Sequence, residues 1–467
     1  MLPIEFKERM TRLLGEDSSA FFDEIENGRA VRSFRVNEIK AKAEAIEGLS
    51  IDRKKADFPE ECYYTEEQFP GYLPCHHAGM IYMQDPSAMA TIHAVKVEKG
   101  MKILDSCSAP GGKTTQLASL AGDRGIVVAN EYDTKRCRIL QSNVERLGAR
   151  NTVVTNLDTA VLAETYPCVF DVVLCDAPCS GEGMFRKNSL AIEEWSPQNV
   201  EMCAERQREI LTNVAKCVAK GGRLIYSTCT FSLEENEMNV RWFLDSFPDF
   251  ALAEVEESLL RHTSDGIMLE GCDYDMKLTR RFYPHVSMGE GQFIAVFERH
   301  SGGEVAPTRE KKDKNGKKAP EKPQKADMEA LKLAREFLAE NIVGEIGAEL
   351  ILHNGSVYLK PNIALPKFGV FAPGVCVGEV MGRRLVPHHQ LFSAYGTMFA
   401  RKICLCSEDH EASDYLHGME IGADKLECCG KADGFAAVLI DGCAVGGGKT
   451  SSGVCKNHYP KGLRNQK

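Results

Sequence analysis

The central part of the chain alternates between short apolar runs and longer stretches in which apolar residues recur at helical spacing. The apolar runs predict strands at 102–105, 125–130, 152–156, 171–175 and 223–227. The stretches between them predict helices at 113–121, 134–147, 159–164 and 199–219. Such regular alternation is typical of the α/β fold class, in which a parallel, Rossmann-like sheet is joined by right-handed crossovers.

Similar patterns predict further elements on both sides of this core. Before it we expect helices at 4–14 and 20–26, a strand at 31–39 and, after Pro86, a helix at 88–95. After it we expect a helix at 233–247 and a closing strand or strand pair within 279–299. An amphipathic helix at 328–341 is followed by short strand patterns, such as 356–359 and 436–440, between glycine-rich turns.

Glycine, proline and charged residues at 300–328 indicate a flexible linker, with eight lysines and arginines against four acids in 301–325. We therefore divide the chain into a small N-terminal α/β domain (1–72), the α/β core (73–299), this linker, and two β-rich C-terminal modules (329–390 and 391–467). A chain of 467 residues is long enough for about three domains.

Composition narrows the class of protein. No apolar run reaches the ~20 residues of a membrane span, and the N-terminus lacks a signal-peptide pattern, so we expect a cytoplasmic protein. Eighteen cysteines without one CxxC spacing argue against a disulfide framework or a zinc ribbon, and we expect no metal site. The net charge of −10 disfavours general nucleic-acid binding, but residues 449–467 hold five cations and no acid, which would allow local, directed binding.

A turn of small residues follows the first core strand. The run DSCSAPGGKT at 105–114 leaves the strand at Asp105, turns through Cys107 to Gly112 and opens a helix at Lys113. Such a turn lets a nucleotide-like ligand approach backbone N–H groups at a helix N-terminus. It is not a phosphate loop of the GxxxxGK[ST] type, because Cys107 stands where the leading glycine is required.

Two acids follow the next strands. Glu131 is placed to accept the ribose hydroxyls of a nucleoside cofactor, and Asp158 could accept a hydrogen bond from an adenine amino group. These features fit NAD as well as S-adenosylmethionine, although the turn is not GxGxxG.

Two cysteines also follow predicted strands of the same sheet. Cys179 lies in DAPCSG at 176–181 and Cys229 lies in STCT at 227–230, so both should emerge at the carboxyl edge, where such sheets bind ligands. Carbon 5 of cytosine is a poor nucleophile, but a thiolate that adds to carbon 6 makes the ring an enamine able to attack a methyl sulfonium. Asp176, three residues before Cys179, could assist at N3 of the ring.

In combination, DSCSAPGGKT, DAPCSG and STCT resemble the motifs of the Sun-type RNA 5-methylcytosine methyltransferases. Further similar segments over residues 30–299 are RVN at 35–37, WSP at 195–197, EENE at 234–237 and RFYPH at 281–285. The tail KNHYPKGLR at 456–464 resembles the C-terminal RNA-binding module of the RsmF-like (YebU-type) members.

The resemblance implies a Rossmann-like class I methyltransferase core, with a small N-terminal α/β RNA-binding cap and PUA-like C-terminal modules. It implies that Cys229 is the nucleophile, that Cys179 assists release of the methylated base, and that Asp176 contacts the cytosine; the order of the motifs alone could not choose between the cysteines. S-adenosylmethionine would be held by Cys107, Ser108, Ala109, Pro110, Gly111, Gly112, Lys113, Glu131, Asp158 and Asp176. Arg136 is a weaker candidate, and Cys107 would act through its backbone only.

The resemblance also implies the partner, small-subunit (16S) ribosomal RNA or the 30S subunit, with the target cytosine out of its helix stack. Lys187 is a candidate for an RNA phosphate contact, with a solvated loop position as the alternative. We expect a monomer. The alternatives are a transfer-RNA cytosine-5 methyltransferase, an RNA-binding ribosome-assembly factor without activity, and an NAD-dependent enzyme.

Overall fold

The computed structural model describes residues 1–287, 289–300 and 325–465, which form four β-sheets with helices packed around them. Most of the predicted linker, residues 301–324, and the last two residues of the basic tail lie outside the described residues. Within the described ranges, the helices are either too short or too polar to cross a lipid bilayer.

The N-terminal region is an antiparallel four-stranded sheet with five helices. Its helices are α1 (Ile4–Leu14), α2 (Ser18–Asn27), α3 (Ala43–Glu47), α4 (Pro74–His77) and α5 (Pro86–Ala90). Its strands are β1 (Ser33–Val36), β2 (Lys54–Lys55), β3 (Cys62–Tyr64) and β4 (Ile81–Met83), in the order β2-β3-β1-β4. The boundary predicted at residue 72 therefore falls before the strand that completes this sheet.

Two predictions in this region were too long. The strand predicted at 31–39 ends at Val36, because the chain then turns: the N–H groups of Lys40 and Ala41 both donate to the Asn37 carbonyl oxygen, at 3.0 and 2.9 Å. The helix predicted at 88–95 is α5 followed by a 3-10 turn at Thr91–Ala94. Pro86 is the first residue of α5, where its missing N–H costs nothing.

The core holds nine strands and seven helices among the described residues. The strands are β5 (Lys102–Asp105), β6 (Ile126–Asn130), β7 (Thr152–Thr155), β8 (Phe170–Asp176), β9 (Val218–Thr228), β10 (Phe250–Ala253), β11 (Ser264–Asp265), β12 (Arg280–Phe282) and β13 (Gln292–Arg299). The helices are α6 (Gly112–Ala121), α7 (Thr134–Leu147), α8 (Thr159–Thr165), α9 (Ser189–Glu194), α10 (Pro197–Val214), α11 (Glu237–Ser246) and α12 (Glu257–Leu260).

The order of the core strands confirms the α/β, Rossmann-like prediction. Strands β9, β8, β5, β6 and β7 lie side by side and are parallel, and β13 adds to β9 in the antiparallel sense. The chain order reverses between β5 and β8, which makes this point the switch where open α/β sheets bind ligands. The turn after β5 and the Asp176 segment after β8 both lie there.

Two helix ends in the core were predicted wrongly. The helix predicted at 199–219 stops at Val214, and after a 3-10 turn Val218 pairs with Phe170 at the start of the β8–β9 ladder. The helix predicted at 233–247 starts at Glu237. The residues before it form a turn instead, in which Glu235 accepts a hydrogen bond from the N–H of Ser180. In both places long-range pairing outweighs the local helical pattern.

The C-terminal region is β-rich, as predicted. It contains helices α13 (Lys325–Asn341), α14 (His389–Tyr395) and α15 (His410–His417) and strands β14 (Glu349–His353), β15 (Ser356–Lys360), β16 (Val370–Ala372), β17 (Val375–Met381), β18 (Arg384–Pro387), β19 (Arg401–Leu405), β20 (Ile421–Gly422), β21 (Leu426–Cys428), β22 (Gly434–Ile440), β23 (Cys443–Ser451) and β24 (Val454–Asn457). The two sheets have the orders β14-β15-β17-β18 and β20-β24-β23-β22-β19-β21. The boundary predicted at 390/391 falls inside α14, whose Leu391 and Phe392 share one apolar cluster with Ala437 and Leu439 of the second sheet.

Candidate active site

The residues predicted for the site line two adjoining cavities at the carboxyl edge of the core sheet. The larger, about 880 Å³, is lined by Cys107, Ala109, Glu131, Asp158, Asp176, Cys179 and Cys229, among others. The smaller, about 220 Å³, is lined by Asp105, Cys107, Ser108, Ala109, Pro110, Gly112, Lys113 and Asp176, with Tyr82 and Gln84 of the N-terminal region. The larger volume lies within the range of sites that bind cofactor-sized ligands. Gly111 lines neither cavity; it caps α6 in the left-handed region with φ +108°.

The two cysteines face each other across neighbouring strands. Strands β8 and β9 are parallel, with Asp176 opposite Ser227. The two strands therefore end side by side at the carboxyl edge of the sheet. This register brings the Sγ atoms of Cys179 and Cys229 to 3.3 Å, and both residues are half-buried. The contact with the Cys229 thiol, together with burial, raises the pKa of Cys179 well above the ordinary value. The two sulfurs are close enough for a proton to pass directly between them.

Asp176 is fixed at this edge by three donors. Its Oδ2 accepts from Lys113 Nζ at 2.7 Å, and its Oδ1 accepts from Ser227 Oγ at 2.6 Å and Gln292 Nε2 at 3.1 Å. Burial lowers the pKa of Lys113, but the charge of Asp176 and the hydrogen bond to it outweigh burial and leave that pKa raised. Lys113 therefore keeps its charge beside Asp176, whose carboxyl group lines the cavity next to the cysteines.

Glu235 links the two cysteine segments. Its carboxylate accepts from the backbone N–H of Ser180 at 3.0 Å, from Ser180 Oγ at 2.5 Å and from Gln207 Nε2 at 2.7 Å. Ser180 follows Cys179, whereas Glu235 belongs to the turn after Cys229. Burial raises the pKa of Glu235. This carboxylate fixes the spacing of the two thiols.

Glu182 forms a second link between the same segments. Its Oε2 accepts from Thr230 Oγ1 and from the N–H of Phe231, both at 2.8 Å, and its Oε1 accepts from Trp195 Nε1 at 2.9 Å. Burial raises the pKa of this carboxyl as well. Sequence reasoning assigned no role to Glu182 or Glu235; the only signal was that 234–237 matches a segment typical of the family.

Aromatic side chains of α1 and α2 pack behind these segments. The ring of Phe6 lies 5.0 Å from that of Phe185 and 5.7 Å from that of Trp195, both edge-on. The ring of Phe21 lies 5.0 Å from that of Phe231. The N-terminal helices therefore support the residues that follow the two cysteines.

Two N–H groups of the turn after β5 donate hydrogen bonds within the protein. The N–H of Ser108 donates to the Asn130 carbonyl oxygen at 2.9 Å, and the N–H of Ala109 donates to Glu131 Oε2 at 3.3 Å. The N–H groups of the first turn of α6, which an α-helix leaves without partners inside the helix, remain the donors for a ligand. Because Gly112 has no side chain, Tyr82 and Gln84 can pack closely against the start of α6. A Cβ on Gly112 would lie 3.0 Å from Tyr82 Cε1 and from Gln84 Oε1.

The two candidate acids for a nucleoside cofactor differ in their surroundings. Glu131 is buried and its Oε1 accepts from the N–H of Asp133 at 2.9 Å. Arg136 lies beside it, with Nη1 3.8 Å from Glu131 Oε2 and Nη2 donating to the Ala109 carbonyl oxygen at 2.9 Å. Asp158 is exposed at the rim and caps α8 by accepting from the N–H of Ala160 at 2.8 Å.

One carboxyl oxygen of Asp105 accepts no hydrogen bond from the described residues. Its Oδ2 accepts from Thr114 Oγ1 at 2.6 Å, whereas its buried Oδ1 has no hydrogen-bond partner among the described residues. Burial raises the pKa of this carboxyl to about 7, and the nearby charge of Asp176 adds to the effect. A buried oxygen without a partner is costly, so a cationic ligand group in the smaller cavity would satisfy it.

Lys187 is paired with acids. Its Nζ lies 3.1 Å from Asp85 Oδ2 and 3.1 Å from Glu290 Oε1. A phosphate contact by Lys187 would have to compete with these two carboxylates.

Three family models match successive parts of the chain. They describe the N-terminal domain of 16S rRNA methyltransferase RsmF (residues 2–86), the 16S rRNA methyltransferase RsmB/F (residues 92–298) and the methyltransferase RsmF PUA domain (residues 404–465). The chain is similar to ribosomal RNA small subunit methyltransferase F of Vibrio atlanticus, with 32% identity over 83% of this chain and 80% of that one. It is similar to the protein of the same name from Shewanella amazonensis, with 28% identity over 92% and 91%.

Solved structures show the same core. A methyltransferase homologue protein from Pyrococcus horikoshii matches with a TM-score of 0.55 and 28% identity, over 63% of this chain and 94% of that one. NSun6 from Pyrococcus horikoshii matches in fold, with a TM-score of 0.53 and 22% identity, over 64% of this chain and 98% of that one.

Proposed function

The chain belongs to the RsmF family of 16S rRNA methyltransferases, and from this premise we propose that it methylates carbon 5 of a cytosine through a covalent bond to Cys229. The substrate of the proposal is small-subunit ribosomal RNA, and the cofactor is S-adenosylmethionine. The observation that carries the chemistry is the pair of thiols, 3.3 Å apart in a cavity that they share with Asp176. A methyltransferase that acts on an oxygen or on an exocyclic nitrogen has no use for two thiols at this position.

The proposed reaction begins with Cys229. Its thiolate forms a bond to carbon 6 of the cytosine, and the electrons of the 5,6 double bond move so that carbon 5 becomes nucleophilic. Bound S-adenosylmethionine supplies an electrophilic methyl group on a sulfonium. After methylation, a base removes the proton from carbon 5, the double bond reforms, and the bond between carbon 6 and Cys229 breaks.

Cys179 and Asp176 assist these steps. As a thiolate, Cys179 would accept the carbon-5 proton, and its sulfur lies 3.3 Å from that of Cys229, which bonds the neighbouring ring carbon. Asp176, held by Lys113, Ser227 and Gln292, contacts the polar edge of the cytosine.

The residues around the cavities fit S-adenosylmethionine. Glu131 would accept the ribose hydroxyls, Asp158 the adenine amino group, and the first turn of α6 would face the carboxylate. The open Oδ1 of Asp105 would accept from the ammonium group of the cofactor. Each of these polar groups of the cofactor therefore meets a complementary group of the protein.

The experiment that tests the substrate measures transfer of labelled methyl from S-adenosylmethionine to three RNAs side by side. These are small ribosomal subunits, naked small-subunit RNA and bulk transfer RNA, all from a strain that lacks the enzyme. Label in 5-methylcytosine of the ribosomal samples supports the proposal and shows which assembly state is used. Label in transfer RNA alone would overturn the substrate, and label in another nucleoside would overturn the chemistry.

Cysteine variants test the mechanism. We predict that Cys229→Ala abolishes methyl transfer, whereas Cys179→Ala accumulates a protein–RNA adduct that migrates slowly in denaturing gels, since addition occurs and release stalls. Cys203→Ala, which removes a buried thiol on α10 outside both cavities, is the matched control and should turn over normally. A fully active Cys229→Ala protein would refute the covalent mechanism.

A further inference from the structure

We propose that residues 363–372 of the C-terminal region complete the cofactor site by fixing the segment 156–158. This segment contains Asp158, and its Asn156 bonds the backbone of Glu131. We call residues 363–372 the strap. The inference rests on the cofactor pocket proposed above and adds positioning residues that lie about 200 residues further along the chain.

The strap closes the edge of the core sheet. Strand β16 within it pairs antiparallel with β7, placing Val370 opposite Thr155 and Ala372 opposite Val154. The N–H of Asn156 then donates to the Gly369 carbonyl oxygen at 2.8 Å, one residue past the end of β7. An unpaired edge strand is mobile and prone to other pairings, so this ladder fixes the end of β7.

Side chains of the strap pack on both faces of the sheet. Ile363 is buried in the apolar cluster that contains Leu157 and Tyr166, and Ala372 is buried in the cluster on the other face. Tyr166 Oη also donates to the Ala364 carbonyl oxygen at 2.9 Å. The strap is therefore part of the methyltransferase core, although it belongs to the C-terminal region in sequence.

The segment 156–158, which the strap fixes, sets the positions of Glu131 and Asp158. Asn156 Nδ2 donates to the carbonyl oxygens of Glu131 and Tyr132, at 2.7 and 2.8 Å. Both backbone groups of Leu157 bond the side chain of Asn130, each at 3.0 Å. Asp158 follows directly at the cavity rim. A shift of this segment therefore moves both acids, and pre-positioned groups bind a ligand more tightly than mobile ones.

Gly369 shows how closely the strap fits. It has φ +70°, and a Cβ there would lie 2.2 Å from Leu157 Cδ2 and 3.0 Å from the carbonyl oxygen of Asn156. Leu157 is buried, so an added methyl group would displace the segment rather than bend a free side chain. Gly382, in the turn between β17 and β18, has nearly the same φ, +66°, and no atom of the described residues within 4 Å of its Cβ position.

This pair of glycines supplies a matched test. We expect Gly369→Ala to weaken binding of S-adenosylmethionine about tenfold, the factor that corresponds to one disturbed hydrogen bond to a charged group. Gly382→Ala carries the same backbone strain without the contact and should bind like the wild type. Equilibrium binding of S-adenosylmethionine to the full chain, without RNA, gives both values. Wild-type affinity in folded Gly369→Ala, or an equal loss in Gly382→Ala, would overturn the proposal.

A second pair decides the question if Gly369→Ala does not fold. Tyr166→Phe removes the hydrogen bond to the strap at Ala364 and should weaken S-adenosylmethionine binding. Tyr415→Phe removes an equivalent bond, from a buried Tyr Oη to the Gly447 carbonyl oxygen at 2.9 Å, far from the cofactor cavity, and should leave binding intact. Equal effects of the two variants would overturn the role of the strap.

One further variant separates this inference from the pocket on which it rests. Glu131→Gln should weaken S-adenosylmethionine binding whether or not the strap matters. If Glu131→Gln binds normally, the proposed pocket is wrong; if Glu131→Gln binds weakly and Gly369→Ala normally, only the strap inference fails. The readout does not depend on which base of the RNA is methylated.

Discussion

The fold raises the pKa of Asp105, and measurements of stability against pH can detect this change. It is buried, its pKa is raised to about 7, and one of its oxygens has no partner among the described residues. The folded protein without cofactor therefore favours the protonated acid, whereas the unfolded chain ionises near pH 4. A buried acid beside a ligand cavity is typical of functional sites.

This difference predicts how stability depends on pH. Since the folded pKa is the higher one, the contribution of Asp105 is fully present below about pH 4 and is lost as pH rises through about 7. Asp105→Asn mimics the protonated acid, so its free energy of unfolding should rise relative to the wild type between these pH values, by up to roughly 4 kcal/mol. Urea unfolding of the cofactor-free proteins at several pH values measures the difference.

The control for this experiment is Asp123→Asn, at an exposed aspartate between α6 and β6, before the amino end of β6. Its difference from the wild type should stay constant over the same pH range. A constant difference for Asp105→Asn as well would show that Asp105 is already ionised in the folded protein.

At the scale of elements, α1 and α2 support the two cysteine segments, and among the described residues no hydrogen bond or ring contact joins these helices to the cofactor turn. Phe6 is fully buried among Phe185 and Trp195, next to the segments that Glu182 and Glu235 tie together. The cofactor turn is contacted instead by Arg35 of β1, which donates to the carbonyl oxygen of Gly112 at 3.0 Å. The two parts of the active site are thus held by different elements of the N-terminal region.

This separation predicts a selective defect. Phe6→Ala should reduce the rate of methyl transfer by roughly tenfold to a hundredfold, because small misplacements of reacting groups are costly. The affinity for S-adenosylmethionine should stay near the wild-type value. Single-turnover methyl transfer and equilibrium binding measure the two quantities.

Phe399→Ala is the matched control, since Phe399 is also buried but lies in the C-terminal region. Either substitution should cost about 4 kcal/mol of stability, so both proteins are compared at low temperature. If Phe399→Ala slows transfer as much as Phe6→Ala, the rate loss reflects stability and not the position of the cysteine segments.

At the scale of the whole molecule, the N-terminal sheet and the last C-terminal sheet share one core. Phe34 and Ile81 of the first pack in the same apolar cluster as Ile403 and Val438 of the second. Lys40 lies at this junction, where its Nζ donates to Ala78 O at 3.0 Å, Ser393 Oγ at 2.8 Å and Ala444 O at 2.8 Å. One amino group, whose pKa burial lowers to about 7, thus joins regions that are far apart in sequence.

Removing that group should therefore weaken the assembly of the regions. We predict that Lys40→Met lowers the free energy of unfolding by about 3 kcal/mol, because it leaves partly buried acceptors without a donor. Lys54→Met, on an exposed strand of the same sheet, should change it little. Circular dichroism in urea measures both, and equal stabilities of the two variants would contradict the role of Lys40.

Local sequence was sufficient for much of the core and for the outline of its site. The alternating pattern predicted β5 to β9 and α6 to α8 within a few residues, except for the early start of β9, because their apolar spacing is local and regular. The small residues at 107–112 predicted a ligand turn. Asp176 ends β8, and Cys179 and Cys229 follow β8 and β9. Because parallel strands end at one edge, the sequence determined that these residues share an edge.

Tertiary structure alone decided which groups meet at that edge. The 3.3 Å contact of the two thiols depends on β8 and β9 being neighbours in register, which nothing local specifies. Glu182 and Glu235 gain their roles only because folding brings two distant segments together, and the N–H of Ser108 donates to the Asn130 carbonyl oxygen for the same reason.

The pairing of the strap with β7 shows most clearly what the local sequence does not predict. Residues 370–372 have no local pattern that names β7 as their partner, because a strand pairing across two hundred residues is chosen by the shape and free edge of the folded sheet. The sequence by itself determined the chemistry that the chain carries and the edge at which it lies. The spacing of the thiols, the open oxygen of Asp105 and the closure of the cofactor site were decided by the packing of distant segments.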